Sequence, residues 1–353
     1  MLNRLLLFIT AACLGSLLVR MHLPIPYLLG GMVTAVLCKA FAHNVAVSWP
    51  RSWRACGLMV AGYGIGATFS NDAWNNFLEE MAGVVEANVI AIAVSVLLAW
   101  LMARWTKVNL QSCVMGMMPG GITLMMLLTE QDKRTDPNVV MVMQVIRLIG
   151  VIVSVPLLVI TLLDAHIVGS TVEMPNHGGI HWLVFLPLSI LGGYLAKKLH
   201  LPTPKFLGTI LLTAVFSIAA GDLQPVPGWL MAPAQVSIGL YMGMLLDAER
   251  IAKTKAIVPL TIIGTVILVA VSIAVAYLLS ARYGFSLITA FLAMAPGGIA
   301  EMALAGMSMG EDVSIILTYQ LVRAVIISLE AFLDSVGSIT STVFLPSRLT
   351  PQT

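Results

Sequence analysis

Charge is what this sequence has least of. Charged residues make up 10% of its 353 positions, against about 25% in a soluble domain. The 19 basic and 17 acidic residues nearly cancel, so no basic surface is available to neutralise nucleic-acid phosphates. Its four cysteines, Cys13, Cys38, Cys56 and Cys113, lie in apolar stretches and form no C-x-x-C pair. That excludes a disulfide framework and a zinc site. There is no Walker loop, no dinucleotide fingerprint and no Ser/His/Asp pattern. What is present instead is hydrophobic residue, 59% of the chain. A membrane helix needs about 20 apolar residues, so the length accommodates about ten of them. Little is left over for a separate catalytic or DNA-binding domain.

The first residues, Met1–Arg4 followed by Leu5–Leu18, imitate a signal peptide, and Thr10–Cys13 loosely imitates a lipoprotein cleavage site. The segment has a counterpart later in the chain, so it is expected to belong to the fold. That counterpart is one of a series. His22-Leu-Pro-Ile-Pro26 recurs as His200-Leu-Pro-Thr-Pro204, and Gly30 as Gly208. Gly62-x-x-x-Gly66 recurs as Gly239-x-x-x-Gly243, and Met118-Pro-Gly-Gly-Ile122 as Ala295-Pro-Gly-Gly-Ile299. Gln144-Val-Ile-Arg147 recurs as Gln320-Leu-Val-Arg323. The order is kept and the separation stays at 176 to 178 residues, which marks an internal duplication. The expected division is a first repeat at 1–163, a polar linker at 164–179 and a second repeat at 180–353. The expected apolar segments of the first repeat are Leu5–Val19, Pro26–Phe41, Ala55–Phe69, Val84–Ala103, Ser112–Leu128 and Val139–Leu163. Those of the second are Ile180–Ala196, Lys205–Ala220, Leu230–Leu246, Ile257–Ser280, Ser286–Met309 and Val313–Leu333.

The positive-inside rule orients these segments. If both Pro-Gly-Gly pieces cross, the lysines and arginines outside the membrane split 8 to 9. If each piece dips in and returns, the split becomes 15 inside to 2 outside, with Arg147 and Arg323 left within the membrane. Each repeat then has about five crossings plus one re-entrant piece. An odd count inserts the second repeat upside down, as in secondary transporters. Both termini are expected on the cytoplasmic side and the Asp164–Gly179 linker outside. A broken crossing helix stays open as the alternative for the first Pro-Gly-Gly piece. The fold class is thus an all-α polytopic membrane protein of two inverted repeats.

Arg147 and Arg323 are the most conspicuous polar residues, each three positions after Gln144 or Gln320 and so on the same helix face. An arginine at a helix centre costs about 2.5–3.5 kcal/mol on insertion scales. Two roles compete. One is recognition of a planar oxyanion, in which substitution harms function more than folding. The other is an internal strut, with the arginine paired to Glu301, to Glu330 or to carbonyls of the Pro-Gly-Gly piece. Pro119, Gly120, Gly121 and Pro296, Gly297, Gly298 are the candidate tips of a solute site, because a half-helix starting after them presents free N–H groups. The structural alternative is a kink for close packing. Glu301 follows the second tip, while the first repeat has Leu124 there, which suits a proton or cation site. Gly62, Gly66, Gly239 and Gly243 read as packing faces. Glu86 and Asn88 are expected near the membrane interface, and the 21 methionines as gap-fillers. His177 and His181 stand four apart beside Pro175 and a glycine pair, with no third ligand. No metal and no cofactor is expected.

The doubled Pro-Gly-Gly turn with its following Gln-x-x-Arg helix resembles the AbrB family of bacterial inner-membrane proteins, over nearly the whole chain. The resemblance implies a multi-pass inner-membrane protein built from two copies of the family's domain. It also brings two labels, membrane regulator of gene expression and ammonia monooxygenase. No cluster of His, Asp or Glu suited to copper or iron accompanies the second label, and direct DNA binding finds no basic surface. Two functions remain open. One is a secondary transporter of a small anionic or carboxylate solute, coupled to an ion or proton. The other is a membrane sensor or regulator acting indirectly on gene expression. The partners expected are the lipid bilayer and a small solute, not nucleic acid; assembly into a homo-oligomer is left open.

Overall fold

The computed structural model describes residues 2–41, 48–69, 71–132, 134–162, 184–199, 201, 203–220, 223–224 and 226–327. The linker 164–179, His177, His181, Glu330 and the chain beyond residue 327 lie outside them. The regular elements among the described residues are α-helices. They are α1 (Leu2–Arg20), α2 (Pro26–Phe41), α3 (Arg51–Gly66), α4 (Asn71–Trp105), α5 (Leu110–Met117), α6 (Ile122–Gln131), α7 (Pro137–Leu162) and α8 (Phe185–Lys198). They continue as α9 (Pro204–Ala220), α10 (Gly228–Met244), α11 (Ala248–Lys253), α12 (Val258–Tyr283), α13 (Leu287–Met294) and α14 (Ile299–Met309). The last is α15 (Val313–Ile327).

Each expected apolar segment carries a helix, with two differences. α4 starts at Asn71 rather than Val84, and the short α11 was not anticipated. Among the described residues five stretches are long and apolar enough to cross a membrane: Asn3–Arg20, Met81–Trp105, Pro137–Val159, Gly228–Lys253 and Val258–Tyr283. Shorter apolar helices, among them Pro26–Phe41, Pro204–Ala219 and Val313–Ile327, stand beside them. α2 and α3 have only 16 residues each, about 24 Å at 1.5 Å per residue. α8 and α15 adjoin residues outside the description.

Glycine decides how the short helices pack. A Cβ on Gly30 of α2 would lie 2.6 Å from the backbone nitrogen of Gly15 in α1. Gly192 of α8 and Gly208 of α9 press together in the same way. Gly62 and Gly66 of α3 meet the Phe206 and Ile210 carbonyls of α9 at 2.9 and 2.7 Å, measured from a built Cβ. Gly239 and Gly243 of α10 meet the Leu28 and Met32 carbonyls of α2. The packing is reciprocal: α3 lies on the counterpart of α2, and α10 lies on α2 itself. Backbone approach of this kind replaces the hydrophobic drive that helix pairs lack in lipid. The turns before α2 and α9 match as well. Ile25 and Thr203, at equivalent places in the repeated Leu-Pro-x-Pro, both take left-handed φ values of 48° and 45°. A β-branched residue there is strained.

Both Pro-Gly-Gly pieces are hairpins, not broken straight helices. At the base of the first, Asn109 donates to the Arg134 carbonyl, and the Asp136 N–H donates to Ser112 Oγ at 2.7 Å. Residues just before α5 are thus bonded to residues just after α6. Asp132 belongs to the same base: hydrogen bonds from the Arg134 side chain and N–H hold its carboxyl below the usual range. In the second hairpin Thr289 Oγ1 donates to Glu311 Oε2 at 2.6 Å, Ser286 Oγ reaches the same oxygen, and the Asp312 N–H donates to Thr289 Oγ1 at 3.2 Å. Gly121 sits at φ 83° before α6, an angle that glycine alone adopts freely.

Neighbouring glycines of α8 provide a test of the packing. Gly192→Ala drives a methyl into the Gly208 backbone, whereas a Cβ at Gly193 finds nothing nearer than Lys205 Cα at 3.5 Å. Overpacking costs about 1–3 kcal/mol, while a helix-interior Gly→Ala change alone gains about 0.5–1 kcal/mol. We therefore expect Gly192→Ala to lower the melting temperature in detergent and Gly193→Ala to leave it equal or higher. Equal melting of the two variants would count against backbone contact as the packing principle.

Candidate functional site

The last four carbonyls of any helix have no partner within it. In α5 and α13 these carbonyls end at a tip inside the protein, and the Gln-x-x-Arg pairs go to them. Gln144 Nε2 donates to Met115 O and Met118 O at 2.7 and 3.0 Å. Arg147 Nη1 donates to Met117 O and Met118 O at 2.9 and 2.8 Å, and to Gly116 O at 3.4 Å. All four orphan carbonyls of α5 are covered. In α15, Gln320 Nε2 donates to Leu292 O, Ala293 O and Ala295 O at 3.0, 3.2 and 3.1 Å. Arg323 Nη1 donates to Met294 O and Ala295 O, both at 3.2 Å. Each arginine also uses Nη2 to hold the Oε1 of its own glutamine. All four side chains are buried. A cation at a helix C-terminus also complements the helix dipole.

Of the pairings open to these arginines, the structure takes the hairpin carbonyls. Arg323 does not bond Glu301, and Glu330 lies outside the described residues. The geometry is that of the internal strut, with both forks on hairpin carbonyls.

The two tips nevertheless share a cavity. Pro119 and Pro296 line one cavity together with Ser95, Ser272 and Arg323. Its free interior has room for about one water. Ser95 and Ser272 are equivalents at the same spacing as the two prolines, and each has a carbonyl partner, Ala91 O for Ser95 and Leu268 O with Met294 O for Ser272. The cavity thus lies where counterparts from the two halves face each other. Arg147 and Arg323 each keep one buried donor, Nε, without a partner. Gly121 and Gly298 open α6 and α14 with no side-chain cap. Gly120 and Gly297 pack against Met125 and Met302.

Glu301 is 2% exposed. Its carboxylate folds back over Gly298 and takes the N–H of its own residue; Oε1 has no partner. The charge it feels is that of Arg54 on α3. Asn88 is not interfacial as expected. It is buried, and its Nδ2 donates to Val84 O and across to Tyr319 O in α15 at 2.9 and 3.1 Å. Glu86 does stay at the surface, paired with Arg282 at 3.0 Å. Among the described residues no three of His, Cys, Asp and Glu come together. Sequence reasoning missed Ser95, Ser272 and the inward role of Arg54; the constant repeat spacing was the signal that would have paired the two serines.

Residues 5–333 match the family described as "Transition state regulatory protein AbrB". The chain belongs to the AbrB family. The family match spans both hairpins and both Gln-x-x-Arg segments. Among AbrB-type relatives, "Uncharacterized protein YhjN" of Bacillus subtilis (strain 168) is 26% identical over 293 residues, covering 78% of this chain and 76% of that one. "Putative regulator AbrB" of Escherichia coli (strain K12) is 23% identical over 304 residues, covering 86% of each.

The fork geometry sets an expected outcome. Arg147→Ala and Arg323→Ala each strip donors from buried carbonyls, at about 1–3 kcal/mol per unsatisfied group. Both should lower yield and detergent melting temperature clearly. Lysine substitutions should fall between, since an ammonium lacks the planar fork. Wild-type melting in both alanine variants would remove the capping role.

Proposed function

We propose that this AbrB-family protein is a secondary transporter of a small anionic or carboxylate solute, coupled to an ion or proton, and not an enzyme. The observation that carries the reading is the shared cavity lined by Pro119, Pro296 and Arg323. Irregular backbone at membrane depth is tolerated where it is buried in protein or lines a water-filled cavity. Two hairpins meeting at one point are the arrangement that alternating access around a fixed site needs. In this reading the two halves are inverted repeats, each hairpin is re-entrant, and the tips approach from opposite faces. The tip residues Pro119, Gly120, Gly121, Pro296, Gly297 and Gly298 form the site. Gln144, Arg147, Gln320 and Arg323 hold the tips in shape and keep a spare Nε donor at the arginines. Glu301 carries the coupling proton. With room for about one water, the cavity is in a closed state, and loading requires the tips to part.

In the same reading the protein lies in the bacterial inner membrane, as the family resemblance implies, with both termini cytoplasmic, which the 15-to-2 division of lysine and arginine supports. A second reading, a membrane sensor or regulator, draws on the word "regulator" in the name of the Escherichia coli relative.

The test begins with thermal shifts of the purified protein by acetate, succinate and citrate, followed by uptake of each hit into liposomes under an imposed pH gradient. Pro119→Cys with Pro296→Cys, in a background without Cys13, Cys38, Cys56 and Cys113, should cross-link through a short bifunctional thiol reagent and stop uptake. Binding without uptake would favour the sensor. For topology, a cysteine at Ser170 should label from outside and one at Thr135 should not; the reverse pattern overturns the orientation.

A further inference from the structure

Arg147 and Arg323 have committed their forks to carbonyls, so neither is free to grip an anion with both arms. Arg54 is. It stands in the first turn of α3, partly buried, and its side chain makes no hydrogen bond to a described residue. Its Nε is buried without a partner, and its guanidinium lies over the Tyr241 ring of α10, 4.7 Å from the centroid. Such stacking holds a guanidinium in place while leaving its edge donors open. Glu301 stands on α14, which packs on α3, and Arg54 is the cation whose charge reaches its carboxyl. The two are not in contact as an ion pair, and Glu301 Oε1 is itself buried and unpartnered. A buried carboxylate and an unbonded arginine thus stand on two helices, α14 and α3, that pack together, each with a buried polar atom left without a partner.

The duplication sharpens the point. At the equivalent place in the other half, Arg54 corresponds to Met231 and Glu301 to Leu124. Both charges are present on one side of the molecule, and both are apolar residues on the other. Paired replacement of this kind points to a purpose for the pair rather than for either residue alone. The other elements packed on α14 add nothing that competes: α13 has no charged residue, and α15 brings Arg323, whose fork is occupied. Beside Arg54 on α3 stands Arg51, which is exposed.

We propose that Arg54 is the anion handle of this protein and Glu301 its resident competitor. A small carboxylate takes the Arg54 fork when Glu301 is protonated, and ionised Glu301 holds the arginine when the solute is gone. Carboxylate and proton then enter together with no change in buried charge, which avoids the desolvation cost of an unpaired ion. The assignment takes its purpose from the transporter reading and its place from the geometry. Its test involves no transport.

The full-length protein in detergent is treated with phenylglyoxal, an arginine-directed dicarbonyl reagent, and modification of each arginine is followed by mass spectrometry with exposed Arg51 as internal reference. Glu301→Gln should speed modification of Arg54 several-fold relative to wild type. Sodium acetate, compared with sodium chloride at equal ionic strength, should slow it in that variant more than in wild type. Glu301→Leu, which installs the side chain of the other repeat, should behave like Glu301→Gln and serves if the glutamine variant fails to fold. Equal Arg54 rates in wild type and variants, or no protection by acetate in either variant, would overturn the assignment and leave the transporter reading untouched. Absent uptake with acetate protection intact would sink transport and leave the anion handle standing.

Discussion

Two sets of four carbonyl oxygens govern the centre of this molecule. Each belongs to a half-helix that stops inside the protein, where an unpaired backbone group costs several kcal/mol. Water cannot be relied on to pair them there. The solution, repeated in both halves, is one glutamine and one arginine a turn apart on the next long helix. Arginine suits the task because it presents several donors in a rigid fork and keeps its charge. The arrangement fixes each tip to α7 or α15, so a tip and its helix move as one body.

The same economy appears where the helices touch. Helices too short to span comfortably are drawn together by glycine, backbone on backbone, until side chains from both halves share one core. The Gly62 and Gly66 face of α3 and the Gly239 and Gly243 face of α10 each need the opposite half. Where the hairpin tips meet, the lining comes in equivalent pairs, proline with proline and serine with serine. Against that background of matched pairs, Arg54 and Glu301 stand out because they have no counterparts of like chemistry.

Much of this could be read from the residues alone. The repeats, the Pro-Gly-Gly turns and the glycine packing faces are local patterns, and the structure places each where its chemistry requires. The direction of the arginine forks could not be read, since it depends on how far α7 and α15 stand from the hairpins. Asn88 looked interfacial because it sits near Glu86 in sequence; the two point to opposite faces of one helix, one toward Tyr319 and one toward Arg282. Arg54 counts, with Arg51, only as one of the 15 inside charges when the sequence is read alone. One further turn of α3 separates a residue that meets solvent from one that stacks on Tyr241 of α10. Helix length was not legible either, because hydrophobicity reports what a segment avoids: among the described residues five stretches combine the length and the apolar character to cross, and other apolar helices are shorter.

The reciprocal packing has a consequence for biosynthesis. When the first half has been made, the glycine face of α3 has no α9 to lie on, and α2 has no α10. Neither half contains its own complete set of helix neighbours. The early helices must therefore wait in the membrane, inserted but unpaired, until more than a hundred further residues have followed them. A ribosome pausing in the middle of this message would leave an intermediate whose closest-fitting surfaces are bare. Those surfaces would match the equivalent helices of a neighbouring nascent chain as well as their own.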